Sequence, residues 1–347
     1  MARYNPDMPS TGYSQRDAEL IRNSPMIGAL TSPSMRFDSD DAAQDASIFF
    51  ARELDYIKSK SYDKIYPELT ALKMFPITHE VPEGAETITY YSYERTGMAK
   101  IISNYATDLP RADVKGKPST SFVKSLGASY GYNVQEMRAS KLAGKSLDVR
   151  KAEAAKYAID LTTNIIAFAG DEENGILGIL SKTNNIPLYT LTKNEEKDNS
   201  TAWVDKTANQ ILADINGMFA YQSKITQDVE RADTLLLPPS VYIDISTRQI
   251  PNTGFTVKKF LLENAPYLKT IETCPELDGS NALTNPYKKN VALLYTKSAD
   301  KFSLEIPMPY MQYPVDIRNL EAVVPCEQRV AGIIMYYPLS ALLAVGV

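Results

Sequence analysis

The side chains best able to do chemistry are few. The sequence holds one histidine, His79, and two cysteines, Cys274 and Cys326. General acid–base and nucleophilic mechanisms draw on histidine, cysteine or a poised carboxylate pair. A serine triad would have to use His79, which sits between Pro76 and Pro82 in a turn-rich stretch and reads as a surface loop residue. One histidine and two separated cysteines cannot supply the usual ligands of a zinc site. Gly170 to Gly175 begins like a phosphate-binding loop, but Ile176 stands where that loop needs lysine. No dinucleotide glycine fingerprint follows a strand. The run Asp171, Glu172, Glu173 lacks the alternating oxygen ligands of a calcium loop and reads as a solvated turn. Lys58, Lys60 and Lys64, like Lys288 and Lys289, read as solvated faces. The sequence therefore assigns no catalytic, cofactor-binding or metal residue and no cofactor, and predicts a protein that is not an enzyme. A carboxylate pair brought together by the fold is the one catalytic alternative left open.

The chain of 347 residues is long enough for two or three substructures around a sizeable core. Hydrophobic residues make up 44% and charged residues 23%, which argues against global disorder. The net charge is −5. Proteins that grip nucleic acid carry a basic excess, because phosphate neutralisation supplies most of their affinity. The charge speaks against a dedicated DNA-binding protein but leaves room for a wall that faces DNA. The distant cysteines form no CxxC pair, which fits folding in a reducing cytoplasm. Arg3, Asp7, Arg16, Asp17 and Arg22 interrupt the first residues, so no signal peptide is read. Asn199-Ser200-Thr201 matches a glycosylation sequon, a short match expected by chance. From Val330 to Val347 there is no charge. Gly332, Pro338 and the strand formers Ile333, Ile334, Tyr336 and Tyr337 favour two buried strands about a Tyr-Pro turn over a membrane anchor.

Residues 1–45 are rich in Pro, Ser, Asp and Asn and read as an arm, with a short helical turn from Arg16 to Arg22. Ala42 to Ser59 has helical spacing in Ile48, Phe49, Arg52, Tyr56 and Ile57. Glu86 to Glu94 is a strand by its Thr, Ile and Tyr content. A polar excursion follows. Then Phe122, Leu126, Ala128, Tyr130, Tyr132 and Val134 alternate, and the two segments together predict a long two-stranded arm. Gln135 to Gly144 reads as a short helix. Asp148 is placed as the cap of a longer one, whose face is Ala154, Ala158, Leu161, Ile165 and Phe168, ended by Gly170. A second amphipathic helix carries Ala208, Ile211, Leu212, Ile215 and Phe219. Thr234 to Pro238 predicts a buried strand, Pro239 opens a helix through Val241 and Ile245, and the chain from Leu268 is mostly strand. The class is α+β. The 22 tyrosines suit both core and interface packing.

Taken in this order, the parts resemble the major capsid proteins of tailed bacteriophages, which have the Hong Kong 97-type fold. Two segments carry the resemblance. YGYNVQEMRASKLAGKSLDVRKAEAAKYAIDLTTNIIAFAGDEENGILGIL, Tyr130 to Leu180, resembles the family's strand, short helix, long spine helix and glycine-bounded exit; RVAGIIMYYPLSALLAVGV, from Arg329, resembles its closing segment. The resemblance covers residues 45–347.

The resemblance implies a Hong Kong 97-type layout. It places an N-terminal arm at 1–45, the start of the peripheral domain at 46–83 and an extended β-hairpin loop at 84–130. The peripheral domain with its spine helix follows at 131–200, the axial domain at 201–302, and return strands of both domains at 303–347. It implies self-assembly into hexamers and pentamers of an icosahedral or prolate head enclosing double-stranded DNA without sequence-specific binding and without a membrane. It further implies a virion capsid assembled in the host bacterial cytoplasm, with a separate scaffolding protein, a portal and decoration proteins as partners. Some relatives cross-link a loop lysine to a neighbour's asparagine. Lys100, Lys115 and Lys117 lie in that region, but no local pattern marks an acceptor or catalytic carboxylate, so that activity is not carried over. Three alternatives stand beside this reading: an encapsulin-type nanocompartment shell, whose members generally begin with a helix where this chain has a polar arm; a carboxylate-based enzyme; and a tail or baseplate protein.

Overall fold

Three apolar runs, TLLL at Thr234–Leu237, VALLY at Val291–Tyr295 and ALLAV at Ala341–Val345, lie side by side in one sheet. With almost no polar side chain to turn toward water, such runs have to be buried on both faces. The computed structural model describes residues 67–100, 111–143 and 147–347. In it the three runs form the middle of a five-stranded sheet, edged by Leu188–Tyr189 and Thr270–Thr273. Alternation then divides the side chains between two cores. Leu236, Leu293, Tyr295 and Leu343 face one, while Leu235, Leu237, Leu294 and Leu342 face the other.

The first core is closed by a second five-stranded sheet, in the order Ile77–Thr78, Phe302–Glu305, Gly332–Met335, Ile176–Leu177, Gly170–Asp171. Phe75 is its centre, with ring centroids 5.1 Å from Phe168, 6.2 Å from Tyr295 and 5.9 Å from Phe302. The buried Tyr295 hydroxyl donates to the Met74 carbonyl at 2.9 Å, so the aromatic cluster leaves no polar atom stranded. Where the chain turns from the strand Glu321–Val330 into Gly332–Met335, Gly332 has φ +74°, and a Cβ there would lie 2.5 Å from the Leu177 carbonyl oxygen. Gly332→Ala is expected to lose at least about 1–2 kcal/mol from the left-handed backbone alone, with the backbone clash added. A fall in the urea unfolding midpoint checks this, and an unchanged midpoint refutes it.

The second core is covered by three helices, Ala208–Thr226, Pro239–Thr247 and Val257–Asn264. Thr207 and Gln210 form a reciprocal capping box at the start of the first. Pro239 opens the second at the position where its missing N–H costs nothing. The last two strands are joined by a short turn at Pro338–Ser340, as the uncharged terminal segment predicts. Among the described residues, no helix is long and apolar enough to cross a membrane.

A third, smaller core lies between the long helix Leu147–Phe168 and a four-stranded sheet. Two expectations are corrected here. The alternating segment Lys124–Asn133 does not pair with the strand of the arm; it pairs along its whole length with Glu321–Val330. Leu126, Ala128, Tyr130 and Tyr132 alternate because they face Ala155 and Ile159 of the helix. The buried helix face is Ala155, Ile159, Thr163, Asn164, Ile166, Ala167 and Phe168; of the expected face Phe168 is buried and Ile165 half-buried, whereas Ala154, Ala158 and Leu161 are exposed. Burying a face that contains Thr163 and Asn164 is possible because both are satisfied. Thr163 donates to the Ile159 carbonyl, and Asn164 accepts from the Ala71 N–H and donates to Glu276. Asp148 lies inside the helix and not before it. The short helix is present at Val134–Ala143. The expected turn at Arg16 to Arg22, the helix at Ala42 to Ser59 and Gly144 lie outside the described residues. Glu68–Val347 is one compact unit.

Candidate assembly surface

The partner of the Tyr-rich strand Thr87–Thr96 is Asp113–Phe122, in an unbroken antiparallel ladder from Thr87↔Phe122 to Thr96↔Asp113. Almost every residue of this ribbon is exposed. Its pleat sorts it into two unlike faces. One carries Tyr91, Tyr93, Val114, Pro118 and Phe122 with Arg95 among them; the other carries Ile88 and Tyr90 near the base and Ser92, Glu94, Lys115, Lys117 and Ser119 beyond. Tyr91 and Tyr93 stack at 6.4 Å and are 61% and 70% exposed. Gly116 lies under the Tyr93 ring, where a Cβ would come within 3.1 Å of it. A two-stranded ribbon is marginal alone in water, and among the described residues little covers the aromatic face of this one.

The ribbon's base is fixed firmly to the body. Tyr90 donates to the Met335 carbonyl at 3.0 Å and packs edge-on against Tyr336 at 5.2 Å. Ser121 donates to the Ala331 carbonyl at 3.3 Å, and the Val123 N–H to the Glu86 carbonyl at 2.9 Å. Beneath it, buried Glu305 accepts from Thr78 at 2.5 Å, Ser303 at 2.7 Å and Tyr336 at 3.2 Å. Burial pushes the Tyr336 hydroxyl pKa up, so it stays a donor to that carboxylate. The ribbon is a lever whose root is ordered by the core and whose length touches little of it.

The residues weighed for chemistry are scattered. Nδ1 of exposed His79 bonds the Ile306 carbonyl at 2.6 Å. Cys274 and Cys326 are buried and free; burial, then the neighbouring Glu276 carboxylate, push the Cys274 thiol well up, away from the reactive thiolate. Asp171 accepts from the N–H and side-chain amide of Asn174, closing the DEENG turn on itself. Lys288 and Lys289 are exposed, as are Lys115 and Lys117 on the ribbon; Lys58, Lys60 and Lys64 lie outside the described residues. Among the described residues four buried carboxylates, Asp214, Glu230, Glu276 and Glu305, are each held by a separate set of donors and do not meet. Among the described residues no cluster of His, Cys, Asp and Glu could hold a metal.

The strand Asp113–Phe122 was hidden from sequence reading by its Lys, Gly, Pro and Ser content. Its signal was the alternation of Val114, Gly116, Pro118, Thr120 and Phe122 with Asp113, Lys115, Lys117, Ser119 and Ser121.

Residues 97–347 match the family model described as major capsid protein. No curated protein matches the sequence. Among solved structures, the capsid of Myoviridae phage XM1 superposes with a TM-score of 0.72 at 17% identity, over 86% of this chain and 98% of that one. A structure from Mycobacterium phage Ogopogo gives 0.57 at 13% identity, over 85% and 98%. The capsid of an empty GTA particle gives 0.56 at 10% identity, over 85% and 95%.

Proposed function

The chain belongs to the major capsid protein family and is a structural protein of the phage head shell; from that premise we propose that it closes into hexamers and pentamers of an icosahedral or prolate head around double-stranded DNA. The observation that carries the reading is the ribbon, an element rooted in the core whose aromatic face is left exposed among the described residues. In a closed shell that face lies on a second copy. Each exchanged element adds contact to a neighbour, and repetition around the shell multiplies modest contacts into large avidity.

The division of labour follows the Hong Kong 97-type layout. Residues 1–45 act as an arm reaching a neighbour and the ribbon within 84–130 as the extended loop, while 46–83 and 131–200, with the strand Lys124–Asn133, act as the peripheral domain. Residues 201–302 form the axial domain and 303–347 the return strands. The shell assembles in the host cytoplasm with a scaffolding protein, is completed by a portal, and accepts decoration proteins. DNA contact is without sequence preference, in keeping with the net charge of −5. The protein performs no catalysis, and its chemistry is that of contact between copies.

The test is sedimentation of the purified chain, alone and coexpressed with its scaffolding protein, with heavy fractions imaged in negative stain. Closed particles, or rings of five or six subunits, are expected. A monomer or dimer under both conditions would overturn the reading.

A further inference from the structure

A sheet edge is a row of unpaired N–H and C=O groups, and the register of this chain says which edges are open. The Val123 N–H donates to the carbonyl of Glu86, the residue directly opposite, so every second pair along the ribbon exchanges hydrogen bonds. Thr87, Thr89, Tyr91, Tyr93 and Arg95 fall between those pairs and turn their backbone groups outward. On the mate, Val114, Gly116, Pro118, Thr120 and Phe122 do the same. Pro118 has no N–H to offer, which blocks that edge at its middle. The Tyr-rich edge carries no such block.

Lys124–Asn133 is an edge as well, since among the described residues it pairs with Glu321–Val330 on one side only. The Val134 N–H donates to the Leu320 carbonyl, so the even residues bond the partner strand and Ser125, Gly127, Ser129, Gly131 and Asn133 turn outward. Side chains close the far end of this edge. Lys151 Nζ donates to the Gly131 carbonyl at 2.7 Å, and the Asn133 N–H donates to Glu136 at 3.3 Å. Ser125, Gly127 and Ser129 stay exposed, and a Cβ at Gly127 would meet nothing within 4 Å. The other sheet edges among the described residues are short strands or carry Pro309. Two long, proline-free edges are left open, one lined by tyrosine and one by glycine and serine.

We propose that Thr87–Thr96 of one copy adds as an antiparallel strand to Lys124–Asn133 of a second copy, with Tyr91 opposite Gly127. The inference rests on the shell reading and specifies one of its contacts. A single chain cannot make it. Thr87 lies beside Phe122 at the root, and the strand then runs back along the ribbon, away from Lys124. In the proposed register Thr89 faces Ser129 and Tyr93 faces Ser125, so three outward residues meet three. A glycine in an edge strand leaves a gap that a ring on the next strand fills. Tyr93 already covers Gly116 of its own ribbon in this way. Tyr91, opposite Pro118, is the ring still free to do so for a neighbour. The two edges are different surfaces, so the contact is head-to-tail and, repeated with a constant rotation, closes a ring.

Proline on either edge of the ribbon tests it. Thr89 and Thr120 share one hydroxyl–hydroxyl bond at 3.1 Å, and neither uses its N–H inside the ribbon. Thr89→Pro removes a donor from the proposed edge. Thr120→Pro removes the same hydroxyl bond but a donor from the edge that Pro118 already blocks. The unassembled variants should share one unfolding midpoint, while Thr89→Pro loses sedimenting particles and Thr120→Pro keeps them. Separately purified Thr89→Cys and Ser129→Cys proteins are also mixed under assembly conditions and mild oxidation, the native cysteines both being buried. A disulfide-linked pair is expected in the mixture and absent from either protein alone. Linkage of Thr89→Cys to itself would mean that ribbons pair with each other and would overturn the contact. Particles from Thr89→Pro, or no linked pair from proteins that assemble, also overturn it and leave the shell reading standing. If the wild type itself forms no assembly, alone or with its scaffolding protein, the shell reading falls and the contact with it.

Discussion

Replacing Tyr91 and Tyr93 together by serine is expected to leave the chain folded and to abolish particle formation. The two rings stack on each other and are 61% and 70% exposed, so their loss opens no cavity in the body. The unfolding midpoint of the unassembled variant should match that of the wild type. Assembly reads a different quantity. Full burial of a large apolar side chain against a neighbour contributes about 1.5–3 kcal/mol relative to exposure, and every copy in the shell loses two such contacts at once. Contacts that are individually modest and jointly cooperative fail together. The opposite face supplies the control, since Lys115→Ser with Lys117→Ser changes the solvated side and should keep particle yield. Sedimentation and negative-stain counting of both variants make the measurement. Wild-type yield from the tyrosine variant would mean that the aromatic face is not the one covered in the shell.

The elements legible in the sequence were those whose reason is local. TLLL, VALLY and ALLAV are apolar almost throughout and read as interior strands. Pro239 at a helix start and the Tyr-Pro turn near the terminus are chemical punctuation that no tertiary contact overrules. What could not be read depended on partners far away in the chain. Lys124–Asn133 has the alternation of a half-buried strand, but alternation does not name the partner. Glu321–Val330, nearly two hundred residues on, takes the place that the nearby Tyr-rich strand was expected to fill. The long helix shows the same limit. Ala154, Ala158 and Leu161 look like its core face until Thr163 and Asn164 find hydrogen-bond partners, after which the neighbouring stripe is the one that can be buried. The assembly surface was half visible. The tyrosines marked one strand as exceptional, while its polar mate Asp113–Phe122 passed for a loop. That mate needs no hydrophobic content, because backbone pairing and the rings across from it hold it in place. The resemblance to capsid proteins supplied the function. Composition and spacing alone reached an α+β protein poor in catalytic groups.

Asp214→Ala is expected to give the largest loss of stability of any single side chain discussed, about 3–5 kcal/mol, the usual result of leaving a buried charge without its partner. Asp214 stands in the apolar stripe of its helix between Ile211 and Ile215 and is 0% exposed. A lone carboxylate there would be untenable, and four donors make it stable. Lys206 Nζ lies 2.5 Å from Oδ2 and Trp203 Nε1 3.1 Å from it, while Thr192 supplies its N–H and hydroxyl to Oδ1 at 3.2 and 2.5 Å. These donors come from the long polar stretch between Leu188–Tyr189 and the helix, which has few apolar residues to hold it. Arg248 adds a second tie, bonding the carbonyls of Trp203 and Lys206. One buried acid therefore organises about fifteen residues of loop against the second core. Removing it strands the Lys206 ammonium, 1% exposed at its side chain, in the protein interior. The charge origin of the loss is separable from the cavity it leaves. Adding Lys206→Met to Asp214→Ala removes the stranded cation and should recover most of the lost stability, whereas Lys206→Met alone strands the carboxylate and should be nearly as damaging as Asp214→Ala. Urea unfolding of the three variants closes the cycle. Additive losses in the double variant would show that Asp214 acts by filling space and bonding the loop, with no part played by its charge.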